Sequence, residues 1–264
     1  MIALEYATPT ALSSTTKTQL NGDADVVLPS WAKSILAVSP VLASAGMTVD
    51  ETIIAKMTIE SAELNVSPFE LIFDPIGGGL GTETASLASK IPKYPLNLAC
   101  KGGERLQVYG TGLINNTIEP YAGAVLVLSD APPSRPQTKA KVGTLTTCGT
   151  ANVETAGSNV EISGARKLSE VYGVVSPTGV TITVEGTSGY FRLASADFLK
   201  PLPLKFPAQP CGGAVGTGLS ILIDGIARFP VDVPCSQRTV IEDYCTMVDT
   251  QTTAPQFIVG VLYE

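Results

Sequence analysis

Apolar and polar positions along this chain follow the pattern of strands. Over residues 52–59, Ile53, Ala55, Met57 and Ile59 fall on one side and Thr52, Lys56 and Thr58 on the other, the two-residue period of a half-buried strand. Residues 33–42 form an aliphatic, β-branched run interrupted by serine and closed at Pro40. Comparable runs follow at 106–109, 124–128, 180–184, 190–193, 220–223 and 257–262. Turn-forming clusters separate them at roughly 8–12 residues, the spacing of an all-β sandwich or barrel. One stretch, residues 82–90, reads as a short helix with Thr82 as its N-cap, lying in a long connection outside the core.

The strands are written twice. Tyr94-Pro95-Leu96-Asn97-Leu98-Ala99-Cys100 returns as Phe229-Pro230-Val231-Asp232-Val233-Pro234-Cys235, an offset of 135 from position 94 to position 229. A glycine turn precedes each copy, Gly78-Gly79-Leu80-Gly81-Thr82 and Gly212-Gly213-Ala214-Val215-Gly216-Thr217. Ser61-Ala62-Glu63 matches Ser195-Ala196-Asp197 at 134, and residues 24–30, 10–16 and 125–128 match 158–164, 144–150 and 259–262 at the same offset. Six matches in order, within one residue of a constant offset, predict an internal duplication. The expected division is 1–130 and 142–264, joined by a Pro-rich, basic linker over 131–141.

Each copy then holds some eight short strands and one long connection, which predicts an all-β chain of two tandem eight-stranded jelly-roll β-sandwiches with few short helices in loops. An immunoglobulin-like sandwich is the alternative. The single tryptophan, Trp31, aligns with Ala165 and so has no shared core role.

Composition narrows the chemistry. Charged residues are 16% of the chain, against about 25% in an ordinary soluble domain. There are 17 basic and 24 acidic residues, a net charge of −7, and no basic face for nucleic acid is visible. The longest uncharged stretch, 206–223, carries Pro207, Pro210 and several glycines and is unsuited to a membrane helix. Residues 1–16 show no secretory signal pattern.

Histidine is absent altogether. That removes Ser-His-Asp and Cys-His hydrolases, His-ligated metals and the commonest general base. No catalytic, cofactor-binding or metal-ligating residue is assigned. The glycines at 77–82 have no following lysine for a phosphate loop and recur in the second copy, as a structural turn does. Cys100 and Cys235 are repeat equivalents, expected as small buried hydrophobes, and Cys148 aligns with Ser14. Cys245 has no cysteine counterpart, no C-x-x-C spacing occurs, and a Cys211–Cys235 disulfide is left open. Asp-Thr/Ser-Gly tripeptides of pepsin type are absent. Asn65 and Asn115 begin glycosylation-like triplets read as chance, and Glu242-Asp243 and Asp23/Asp25 are read as solvated acidic pairs rather than calcium ligands.

Two jelly rolls in tandem without catalytic residues resemble the double jelly-roll major capsid proteins of adenoviruses, tectiviruses, corticoviruses and turreted archaeal viruses. The resemblance rests on the duplicated segments (residues 94–100 with 229–235, 78–82 with 212–217) and covers nearly the whole chain. It implies a non-enzymatic virion protein without cofactors, made in the host cytoplasm. Its partners would be two further copies in a pseudo-hexameric trimer, neighbouring capsomers, and penton or minor capsid proteins, with contact to an internal membrane left open. Two other classes are carried beside it. One is a tandem β-sandwich adhesin, lectin or tail-associated binding protein. The other is a carboxylate-only glycosidase, for which a carboxylate unique to one copy would be needed in a cleft, Asp74 or Asp224 being the candidates.

Overall fold

The computed structural model describes residues 2–12, 15–43, 52–61, 68–73, 76–77, 94–113, 121–134, 138–148, 150–176, 189–198, 204–210, 226–248 and 255–264. Every regular element among them is a strand: β1 (Ile2–Ala11), β2 (Thr18–Gln19), β3 (Val26–Val27), β4 (Ser34–Ala43), β5 (Thr52–Ile53), β6 (Ala55–Glu60), β7 (Phe69–Ile72), β8 (Ile76–Gly77), β9 (Tyr94–Ala99) and β10 (Arg105–Gly112). They continue as β11 (Tyr121–Ser129), β12 (Lys139–Val142), β13 (Thr146–Thr147), β14 (Glu154–Ser163), β15 (Lys167–Ser176), β16 (Gly189–Ala194), β17 (Leu204–Pro210), β18 (Phe229–Pro234), β19 (Arg238–Met247) and β20 (Gln256–Tyr263). The expected helix at 82–90 and the runs at 180–184 and 220–223 lie outside the described residues.

The chain divides into two compact units, the first drawn chiefly from residues up to Lys139 and the second from Ala140 onward. The basic run at 131–141 has become strand by Lys139, where β12 begins.

In the first unit one sheet has the order β1-β11-β4-β9 and the other β2-β10-β6-β7, with β3 also on β10. In the second, β12-β20-β15 with β18 beside β15 forms one half and β14-β19-β16-β17 the other. Counting major strands within each unit, both have the orders 1-8-3-6 and 2-7-4-5. That antiparallel interleaving of two Greek keys is the eight-stranded jelly roll. In the second unit a short parallel pairing of β15 with β17 (Val174↔Gln209, Val175↔Pro210) joins the two sheets at one side.

The registers carry the duplication to single residues. Leu36 is passed over in both pairings of β4, and Ser169 in both pairings of β15. A bulge therefore sits at the same point of the third strand in each unit. The Cys100 amide donates to the Lys33 carbonyl and the Cys235 amide to the Arg166 carbonyl, both at 3.0 Å. This reproduces the predicted Cys100/Cys235 equivalence.

The last strand departs from the predicted alignment by one residue. Ile35 faces Leu128 where Leu168 faces Tyr263, so residues 125–128 correspond to 260–263 rather than to 259–262. In a strand, one residue exchanges the faces. Val125 accordingly points away from the core and is half-buried, while Val259 is fully buried in it. The expectation that both are core positions is corrected at Val125, where Leu126 takes that role.

The second core is built on Val160, Ile162, Val171, Phe191, Leu193, Ile241, Phe257, Val259 and Val261. Phe191, Phe206 and Phe229 extend it as a chain of rings with centroids 5.3 and 5.2 Å apart. The first unit buries Met57, Ile59, Phe69, Leu71, Leu106, Val108, Leu126 and Leu128 in the same role. Trp31 is half-buried and Ala165 is buried; the register equates Ala165 with Ala32, also buried.

Candidate functional site

The surfaces of the two sandwiches, as far as the described residues trace them, are the candidate site. Strand β1 lies at the edge of its sheet, paired on one side with β11 (Leu4↔Val127, Tyr6↔Val125). Its alternation is reversed relative to a solvated edge: Ile2, Leu4 and Tyr6 are 68%, 51% and 53% exposed. Ala3 and Glu5, at the intervening positions, are half-buried. Tyr121, at the start of β11, is also exposed, and Val125 and Val127 continue the stripe as half-buried side chains. An apolar row on the outer side of a sheet is the signature of a surface that binds.

The outer faces of the 2-7-4-5 sheets are different in kind. Tyr109 on β10 and Tyr244 on β19 occupy equivalent positions, and each carries a cation on its ring: Lys17 Nζ at 4.0 Å and the Arg192 guanidinium at 3.9 Å. Lys17 pairs with Glu60. Arg192 makes a two-pronged pair with Glu154, Nε to Oε2 at 2.9 Å and Nη2 to Oε1 at 2.6 Å. That hydrogen bonding holds Glu154 below the usual carboxylate range, and Arg238 does the same for Glu161. The Tyr244 hydroxyl donates to Glu242 at 2.7 Å, which raises its own pKa. These polar faces are self-satisfied, whereas the β1 stripe is not.

The acidic pairs separate. Asp23 is exposed in a turn where Asn21, Gly22 and Asp23 all have positive φ, while Asp25 accepts from Gln19 Nε2 at 3.1 Å. Glu242 is exposed, as expected, but Asp243 is 1% exposed and belongs to the core face of β19. Reading both as a solvated pair is corrected at Asp243, because adjacent strand residues point to opposite faces. Among the described residues no group of three His, Cys, Asp or Glu side chains is placed to hold a metal ion. Asn65, Asn115, Asp74, Asp224 and the glycines 78–82 and 212–217 lie outside the described residues.

Cys100, Cys148, Cys235 and Cys245 are free thiols, so Cys235 is not bridged; Cys211 is outside the described residues. Burial and the nearby Glu104 push the Cys100 thiol up to about 11, and burial raises Cys235. Spacing alone did not reveal that Cys148 and Cys245 meet in the second core. Their mutual hydrogen bond and burial push Cys245 up, and its Sγ also lies 3.7 Å from Met247 Sδ. Peptide-resolved iodoacetamide labelling of the native chain is expected to leave Cys148 and Cys245 unmodified while half-buried Cys100 reacts slowly, because the core gives the reagent no access to either thiol, even though the hydrogen bond to Cys245 pulls the Cys148 thiol down.

No family model and no curated protein matches the sequence. Among solved structures, PNGF-II in a C2 crystal form aligns over 99% of this chain at 9% identity with a TM-score of 0.48, and this chain spans 64% of its length. The Sulfolobus turreted icosahedral virus structure aligns over 99% of this chain and 90% of its own at 8% identity, TM-score 0.46. PNGase F, a glycosylasparaginase from Flavobacterium meningosepticum, aligns over 99% and 96% at 8% identity, TM-score 0.41. The chain is a double jelly roll. That statement rests on the two identical strand orders. Among its described residues the double jelly roll presents an uncovered apolar stripe at β1 and polar outer faces on its two 2-7-4-5 sheets.

Proposed function

We propose that this chain is a viral major capsid protein, a structural and non-catalytic building block of the virion. The observation that carries the reading is the apolar stripe Ile2, Leu4 and Tyr6 on the edge strand of a duplicated jelly roll. Fully covering one such side chain contributes about 1.5–3 kcal/mol before the cost of association. Three in a row favour a partner that meets the sheet face squarely. A low charge fraction of 16% fits a chain whose sides are covered by neighbours, since interface cores are depleted in charge.

In this reading three copies close into a capsomer. Two similar sandwiches per chain, the second opening at β12, present six similar sides in a trimer to a hexagonal lattice. Neighbouring capsomers and penton or minor capsid proteins are the remaining partners. The net charge of −7 argues against direct packaging of nucleic acid, so any genome or membrane contact is indirect.

Native mass spectrometry at micromolar concentration is the test. A trimer is expected for the wild-type chain. The variant carrying Ile2→Ser, Leu4→Ser and Tyr6→Ser is expected to run as a monomer with an unchanged far-ultraviolet circular dichroism spectrum, because these side chains lie outside the core. A wild-type monomer at that concentration refutes the capsomer reading. A trimer unaffected by the triple substitution removes β1 from the interface.

A further inference from the structure

Asp243 stands alone among the buried carboxylates described. Glu104, also buried at 2% exposure, accepts from Ser61 Oγ at 2.6 Å and from the Lys101 amide at 2.9 Å. Asp243 is 1% exposed and neither of its oxygens has a hydrogen-bond partner on another residue. The registers show what it replaces: Gln107 faces Glu60 where Glu242 faces Ala194, so Asp243 occupies the position that Val108 fills in the first core. A carboxyl group has taken the place of an isopropyl group.

Its surroundings are specific. The pairing of β14 with β19 jumps from Ala156↔Tyr244 to Asn159↔Glu242, leaving Gly157 and Ser158 bulged opposite Asp243. A Cβ on Gly157 would overlap Asp243 Oδ2 and lie 2.8 Å from the Phe257 ring. The carboxyl thus fills the space beneath the bulge, and only glycine leaves room for it. Around it stand Leu193 of β16, Phe257 of β20 and, on its own face of β19, Ile241 and Cys245, with Cys148 behind Cys245. The charged side chains of β14, β16 and β19 (Glu154, Glu161, Arg192, Arg238 and Glu242) are engaged on the opposite, outer face. Among the described residues no cation offsets the carboxylate, and β14 is the edge strand.

We propose that Asp243 is a proton-controlled latch on strand β14: as the neutral acid it seats the Gly157 bulge against the core, and as the carboxylate it drives that edge strand off β19. Removing a charge from water without a partner costs several kcal/mol, and the least costly relief is to admit water through the bulge already beside it. The side of β19 that β14 covers is then a pH-dependent pairing edge, closed by β14 in acid and open to another strand in base. The inference does not depend on the capsid reading.

The sign of the effect follows from linkage. In the unfolded chain an aspartate titrates at about 3.9. In the fold, burial pushes Asp243 up to about 7, its own backbone amide pulling slightly back. Between those values the folded chain holds a proton that the unfolded chain has released. The stability this group confers is therefore complete below about pH 4, declines as pH rises toward 7, and is gone above it.

Hydrogen–deuterium exchange of the full chain at about pH 5.5 and 8.5, corrected for intrinsic rates, tests this directly. Protection of β14 and β19 amides is expected to fall by about 10-fold or more at the higher pH, while β10 and β6 hold theirs. Asp243→Asn and Asp243→Val, the latter restoring the residue of the first core, are expected to abolish the difference. Equal wild-type protection at the two pH values overturns the proposal, and so does a loss that persists in Asp243→Asn. If neither variant folds, the wild-type comparison of β14 with β10 decides alone.

Discussion

Gly260→Val is expected to destabilise the second sandwich, and Tyr172→Ser to cost less in that chain than it costs opposite the native glycine. Tyr172 and Gly260 are direct partners across β15 and β20, and a Cβ at Gly260 would overlap the Tyr172 ring. At the equivalent place in the first unit, Ser39 faces Val125. The two copies have thus solved one site in opposite ways, large opposite none in one and small opposite medium in the other. Adding a valine against the ring is an overpacking change of about 1–3 kcal/mol. Removing the fully buried Tyr172 ring alone costs about 3–5 kcal/mol, by analogy with other aromatic truncations. The pair should cost less than the sum by about 1–3 kcal/mol, the coupling of residues in contact. Urea denaturation of the four members of the cycle measures it, and strict additivity would show that the ring does not rest on the glycine.

A still larger contrast is expected between Val259→Asp and Val125→Asp. Val259 is fully buried in the second core, and an unpaired carboxylate there should cost about 4 kcal/mol or more, enough to unfold that unit. Val125 is half-buried on the outward side of β11 and should lose about 1 kcal/mol. Thermal melts followed by circular dichroism distinguish the two. Comparable losses at both positions would return the last strand to the 134-residue alignment.

That contrast shows where the sequence stops speaking. Repeated polar and turn residues, such as Pro95/Pro230 and Cys100/Cys235, mark the register of the sixth strand because each occupies one kind of position. The last strand offers no such mark. Residues 257–263 are all buried, on both faces of the sheet, so their apolar run has no phase and a one-residue slip goes unseen. The offset of 135 that the sixth strand carries from Cys100 to Cys235 simply continues into the last strand, with no residue to show this. Strand β1 escaped notice for the opposite reason: its apolar residues face outward, so alternation assigned them no core role. Asp243 was hidden by its neighbour Glu242, since two adjacent acids look like a solvated corner until a strand turns one of them inward. The all-β class, the duplication and the strand spacing were legible because they are summed over many residues. The thiol pair and the buried acid depend on contacts between distant parts of the chain.

The bulge common to the two third strands also constrains how such a chain can change length. Deleting Leu36 or Ser169 would straighten its strand and leave every later side chain on its own face, because the registers already skip that residue, whereas a deletion among the regularly paired residues beyond it would exchange those faces. Loops can lengthen by any number of residues without that penalty. A single spare residue shared by both halves is therefore slack that the third strand can lose, while the count of paired residues between it and the sheet centre is fixed.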